Sequence, residues 1–197
     1  MISIYKIKPA FQKLLTPLME ILRSLKITPN AITLFSILFS FLLCYFFIQA
    51  LEHKIFFLFV AIGLLIRMML NALDGMMART YNLQSKFGEA LNEIGDIISD
   101  TAIYFPIIFL PEIKIEIAII FILLSIINEF CGLLAKTLSN IRRYDGPMGK
   151  SDRAFLIGIL CIIYYFTNDI SHYLNYIFGC ACFLIIISSY LRISKSI

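Results

Sequence analysis

Residues 32–51 run for twenty positions without one charged side chain, and residues 55–65 repeat the pattern after a break of only three. Two such runs in succession are hard to bury in a water-soluble domain. About 20 consecutive apolar residues is the length at which a helix spans hydrocarbon with its backbone hydrogen bonds satisfied internally. The rest of the chain agrees: 60% of its residues are hydrophobic, against about 45–50% in soluble domains. The pattern predicts an all-α membrane protein, a single domain over 1–197. Six transmembrane helices are expected near 32–51, 55–78, 89–110, 115–137, 154–168 and 173–191.

Residues 1–31 precede these spans. Leu14, Leu18, Leu22 and Leu25 recur there at helical spacing, with Lys13, Glu20 and Arg23 elsewhere on the wheel. This predicts an amphipathic helix lying in the membrane interface. Pro29 is expected to end it, and Asn30 or Thr33 to cap the helix that follows. The stretch carries Lys6, Lys8, Lys13, Arg23 and Lys26 and has no apolar core followed by a small-residue site, so a cleavable signal peptide is not expected.

Charge placement gives the orientation. Lys6, Lys8, Lys13, Arg23, Lys26, Arg79, Lys86, Lys136, Arg142, Arg143, Lys150, Arg153, Arg192 and Lys195 fall on the side of the termini; Lys54 and Lys114 fall on the other; Arg67 lies within a span. Positive residues collect in the cytoplasm, so both termini are expected there, in an inner or cytoplasmic membrane. The five cysteines sit in apolar stretches and read as packing residues. His53 and His172 are isolated, which argues against a histidine metal site. No nucleic-acid partner is expected.

Against this background, "NALDGMMARTYNLQSKFGEALNEIGDIISD", residues 71–100, is conspicuously polar. It holds five carboxylates (Asp74, Glu89, Glu93, Asp96 and Asp100), three asparagines and two basic residues. On a helical wheel Asn71, Asp74, Gly75, Ala78 and Arg79 share one face of the second span. Glu89, Asn92, Glu93, Asp96 and Asp100 crowd one side of the third. Ionised carboxylates within a membrane cost several kcal/mol each unless paired or metal-bound. A bound cation is the simplest relief. Oxygen donors without histidine favour Mg²⁺, Mn²⁺ or Ca²⁺ over zinc. A polar helix–helix seam or an ion path would produce the same periodicity.

The spacing is more specific than the periodicity. Asn71, Asp74-Gly75, Ala78-Arg79, Gly88, Asn92 and Asp96 resemble the CDP-alcohol phosphatidyltransferase signature D-x2-D-G-x2-A-R-x8-G-x3-D-x3-D. Six of its eight marked positions are kept, with asparagine at the first and third aspartates. The "ITPNAIT" entry to the first span is also similar to that family. The resemblance implies six spans after an interfacial helix, CDP-diacylglycerol or another CDP-alcohol as donor, a small alcohol as acceptor, and release of CMP. It further implies Mg²⁺ or Mn²⁺ held by Asp74 and Asp96 with Asn71 and Asn92. Asp74, Gly75, Ala78 and Arg79 would hold the CDP moiety, and Asp96 would be the catalytic base. A homodimer with its active site at the cytoplasmic face is expected. The family has four aspartates and usually two metals; here an amide oxygen can ligate but brings no charge. The alternatives are transfer from a soluble CDP-alcohol to a lipid acceptor, a non-catalytic CDP-lipid-binding pseudoenzyme, or a small transporter. A transporter should show internal repeats, and none is evident.

Two further expectations follow. Residues 139–155, "SNIRRYDGPMGKSDRAF", form a turn-rich linker whose Arg142, Arg143, Lys150 and Arg153 would bind an acceptor phosphate, or else anionic headgroups. Arg67 shares the Asn71 face about 10 Å deeper than Asp74, taking 1.5 Å per residue. An unpaired arginine there would be costly. If the second and third spans run antiparallel with Arg79 level with Gly88, Asn71 faces Asp96, Gly75 faces Asn92 and Arg67 faces Asp100. An Arg67–Asp100 ion pair flooring the site is therefore predicted.

Overall fold

The computed structural model describes residues 8–167 and 169–197, and all regular structure within them is helical. The elements are α1 (Lys8–Ser24), α2 (Pro29–Gln49), α3 (Ile55–Thr80), α4 (Lys86–Tyr104), α5 (Ile115–Ser139), α6 (Lys150–Phe166) and α7 (Leu174–Ser194). Short 3₁₀ turns at Phe105–Phe109 and Asp169–Tyr173 follow α4 and precede α7. Among the described residues α2, α3, α5 and the segment Asp169–Ser194 are long and apolar enough to cross a membrane. The other two expected spans are of a different kind. Helix α4 carries Lys86 and four carboxylates, and α6 has 17 residues with Lys150, Asp152 and Arg153 in its first turn.

Several boundaries differ from expectation for local reasons. Helix α1 stops at Ser24, and Lys26 turns the chain with φ 59°. Pro29 therefore begins α2 instead of ending α1, a first-turn position where its missing N–H costs nothing. Thr28 is the cap, its hydroxyl accepting from Ala31 N at 3.2 Å. Helix α4 ends earlier than predicted because Pro106 cannot continue it. On α1 the protein-facing residues are Leu15 and Met19, which pack with Ile32, Leu73, Met76 and Met77; Leu14, Ile21 and Leu25 stay exposed.

Helix α2 packs against both α3 and α4, α3 against α6, and α5 against α7. The main apolar core lies among these helices, around Leu43, Val60, Phe121, Ile157 and Phe178. Large apolar residues such as Leu38, Phe41, Phe166 and Phe183 point outward, which suits hydrocarbon and not water. Serines and glycines let the helices approach. Gly63 sits so close to Leu43 that a Cβ there would overlap its methyl group.

The segment between α5 and α6 is fastened to α7. Ser188 Oγ donates to the Asp145 carbonyl at 2.9 Å, Arg143 Nη2 donates to the Lys195 carbonyl at 3.0 Å, and Lys195 pairs with Asp145. Gly146 lies on Ser188 with φ 96°, and an added Cβ would stand 2.5 Å from Ser188 Cα. Gly146→Ala is therefore expected to cost about 1–3 kcal/mol through backbone strain alone and to free the linker. Limited proteolysis within 140–149 should quicken; an unaltered cleavage rate would show that the contact is dispensable.

Candidate active site

Helices α3 and α4 meet through side chains, not backbone packing, and leave a cavity of about 810 Å³. Asn71, Asp74, Gly75, Ala78 and Arg79 line it from α3; Gly88, Asn92 and Asp96 line it from α4. Thr33 of α2, Glu129 and Lys136 of α5, Lys150 of α6 and Arg192 of α7 contribute to the rest of the wall. All eight positions of the spaced motif thus open on one space.

Asp74 is buried. Its Oδ2 accepts from Thr33 Oγ1 at 2.9 Å and Asn92 Nδ2 at 3.0 Å, and its Oδ1 accepts from Gly75 N at 2.5 Å. Asn71 Oδ1 accepts from Ser36 Oγ at 2.8 Å. Asp96 Oδ1 is paired with the Lys150 ammonium. Gly75 leaves space for Arg79, whose Nη1 would lie 3.2 Å from a Cβ placed at that glycine. Gly88 abuts α2, where a Cβ would stand 2.7 Å from Asn30 Oδ1; Ser85 caps α4 by accepting from Gly88 N at 3.0 Å.

Beneath the cavity lies a buried ionic cluster. Arg67 Nη2 is 2.7 Å from Asp100 Oδ1, and the side chains are 2% and 5% exposed. Asp100 Oδ2 is also 3.4 Å from Arg153 Nη2. Glu129, from the apolar α5, gathers Arg153 at 2.9 Å, Arg142 at 3.1 Å and Arg192 at 3.6 Å. Arg142 further pairs with Glu93 at 2.9 Å. Burial works against the charge of Arg142, but Glu93, Tyr144 and Glu129 hold its pKa above the ordinary value. Asn128 accepts from Arg153 Nη1 on its side-chain oxygen at 3.2 Å and from Arg192 Nη1 on its carbonyl at 2.6 Å.

The expected register is met to within one residue: Arg67 lies opposite Asp100, and Asp74, where Gly75 was expected, opposite Asn92. The expected basic acceptor site is rearranged. Of Arg142, Arg143, Lys150 and Arg153, only Lys150 lines the cavity. Arg153 is fully buried and turned to Asp100 and Glu129, Arg142 is held by Glu93 and Glu129, and Arg143 reaches the end of α7. The reason is energetic: a guanidinium at this depth needs a carboxylate partner, and Glu93, Asp100 and Glu129 supply them. The segment is also shorter than predicted, since α6 already begins at Lys150. Glu129, Asn128 and Arg192 were not anticipated. The available signal was a carboxylate inside an apolar run, which in a membrane marks a site by default.

The donors at the motif are two carboxylates and two amides, all hard oxygen donors. Their charge of 2− matches one divalent cation. Among the described residues no group of three His, Cys, Asp or Glu side chains is placed to hold a metal by itself; the amides of Asn71 and Asn92 would have to complete the set.

The sequence profile of CDP-alcohol phosphatidyltransferases matches residues 26–187, from just before α2 to within α7. The chain belongs to the CDP-alcohol phosphatidyltransferase family. It is 48% identical over 157 residues to the inner membrane protein YnbA of Escherichia coli, covering 80% of this chain and 78% of that one. It is 37% identical over 102 residues to the archaetidylinositol phosphate synthase of Pyrococcus horikoshii, about half of each chain. The fold matches phosphatidylinositol phosphate synthase of Mycobacterium tuberculosis with CDP-DAG bound. The TM-score is 0.76 at 17% identity, over 93% of this chain and 94% of the other. The same synthase in complex with manganese and citrate superposes with a TM-score of 0.72 at 17% identity, over 92% and 88%. This CDP-alcohol phosphatidyltransferase shares their all-helical architecture and carries asparagines where the family signature has its first and third aspartates.

Proposed function

We propose that the protein transfers the phosphatidyl group of CDP-diacylglycerol to the hydroxyl of a small alcohol and releases CMP. The observation that carries this reading is the convergence of Asp74, Gly75, Ala78, Arg79, Gly88 and Asp96 on one cavity between α3 and α4. The bound CDP-DAG of the M. tuberculosis synthase supports the choice of donor. YnbA is named an inner membrane protein, and the positive side of this chain holds the motif. We therefore place the site at the cytoplasmic face of the inner membrane, with α4 and α6 completing six spans. The same reading includes α1 lying in the interface and a homodimer.

The chain's own residues divide the work. Arg79, at the exposed end of α3, pairs with the pyrophosphate oxygens. Gly75 and Ala78 leave space beside it for the nucleotide. The acceptor oxygen attacks the phosphorus bearing the diacylglycerol, the bridging P–O bond breaks, and CMP departs with the electron pair. Asp96, whose Oδ1 contacts the Lys150 ammonium, takes the acceptor proton. A Mg²⁺ or Mn²⁺ held by Asp74 and Asp96, with the amide oxygens of Asn71 and Asn92, would supply charge neutralisation at the pyrophosphate. The arginine cluster below holds α4, α5, α6 and α7 in place, and Lys150 and Arg192 are cations of α6 and α7 that line the cavity and would face the acceptor.

The test is CMP release from CDP-diacylglycerol by purified protein with Mn²⁺ and a panel of small alcohols, some phosphorylated. Release that depends on one alcohol supports the reading. CDP-lipid binding without CMP release under any acceptor would make the protein a binding module instead.

A further inference from the structure

The two asparagines of the motif remove two negative charges, and a cation is already present where a metal would otherwise be needed. Lys150 lies in the first turn of α6, and its ammonium contacts Asp96 Oδ1. Its position is built, not incidental. Gly149 N donates to Asp152 Oδ2 at 3.0 Å, which closes the helix start. Arg153, one turn on, anchors the same helix to Asp100 and Glu129. Lys150 is thereby held at the mouth of the cavity.

The motif side chains hold one another in place: both Asp74 oxygens accept internal hydrogen bonds, Asn71 Oδ1 accepts from Ser36, and Asn92 donates its amide NH₂ to Asp74. Charge is what bears on the number of ions. Asp74 and Asp96 contribute 2−, which one divalent ion cancels. A second ion would leave 2+ in a low-dielectric site until substrate arrived, whereas a lysine leaves 1+.

Resting on the transferase reading above, we propose that the Lys150 ammonium takes the place of a second divalent ion, so that the site works with one metal. The lysine then shields Asp96 before substrate binds and faces the pyrophosphate afterwards, as a compact charge with three donors. Because the ammonium and the metal share Asp96, removing the lysine has opposite effects on the two readouts: metal affinity rises while turnover falls. A merely structural Lys150 would not produce that pair of changes.

The experiment counts Mn²⁺ bound to the purified full-length protein by electron paramagnetic resonance, with and without CDP-diacylglycerol in mixed micelles. Circular dichroism and gel filtration check the fold of each variant. One Mn²⁺ per chain is expected in both conditions. Lys150→Gln should bind that ion several-fold more tightly and release CMP at least tenfold more slowly. Lys150→Gln combined with Asn71→Asp and Asn92→Asp should bind two ions and regain much of the rate. Two ions, or none, per wild-type chain would overturn the proposal, as would Mn²⁺ affinity unchanged in Lys150→Gln. The ion count is read whether or not CMP appears, so failure of the transferase reading, seen as no CMP release by the wild type, remains a separate result.

Discussion

Asp74→Asn should reduce CMP release by about a thousand-fold while leaving the protein folded. Asp74 is the buried carboxylate of the motif on α3, and three donors converge on it from Thr33, Gly75 and Asn92. Those donors fix its orientation at the expense of its solvation, which is the arrangement expected of a group that must be ready to receive a cation. Asparagine preserves the shape and one acceptor oxygen but removes the charge. With Asn71 and Asn92 already neutral, Asp96 would be the last carboxylate of the motif. Several kcal/mol of charge stabilisation at the phosphoryl group would be lost, and each 1.4 kcal/mol is a factor of ten. The loss should appear as reduced Mn²⁺ affinity and reduced kcat together, with thermal unfolding in detergent little changed. Near-normal turnover in this variant would remove Asp74 from the site chemistry.

Much of this architecture was legible in the sequence, for identifiable reasons. The charge-free runs at 32–51 and 55–65 leave a helix little alternative to spanning hydrocarbon, and the motif's fixed spacing places its residues on two facing helices. The depth of Arg67 demanded a partner, and equal-depth counting pointed to Asp100, where the structure places it at 2.7 Å. What was not legible depended on contacts between elements far apart in the chain. The wheel of α4 shows that Glu93 and Asp100 share a side, but not that Arg142 and Arg153, about fifty residues away, come back to meet them. Four basic residues near one linker read naturally as an anion site. The presence of Glu129 in the middle of α5 is what converts three of them into structural groups, either directly or by fixing the linker's course. Cap positions failed for a smaller reason: Thr28, Asn30 and Thr33 all suit an N-cap, and only the turn at Lys26 selects Thr28.

The buried cluster yields the second large effect, on stability. Arg67→Leu strips one guanidinium from Asp100, but Arg153 Nη2 remains 3.4 Å from the other oxygen. The carboxylate is then half-compensated, and a loss at the lower end of the range for breaking a buried pair, about 3 kcal/mol, is expected. Asp100→Leu is worse. It leaves Arg67, 2% exposed, without that partner, and takes one of two carboxylates from Arg153, which is 0% exposed. About 5 kcal/mol is expected, the upper end of the same range. In the double variant Arg67→Leu/Asp100→Leu the orphaned charge beside α3 disappears, so stability should recover. Recovery should nonetheless be incomplete, because Glu129, at 2.9 Å, is the one carboxylate left to Arg153. Adding Arg153→Leu should not help, since it strands Glu129 between the more distant Arg142 and Arg192. The order of unfolding midpoints in detergent is therefore wild type above the double variant, then Arg67→Leu, then Asp100→Leu. Additive losses in the double variant would mean that Arg67 and Asp100 do not interact energetically, whatever their separation, and that the two helices are held in register by their other contacts, the Asn92–Asp74 hydrogen bond and the packing of each on α2.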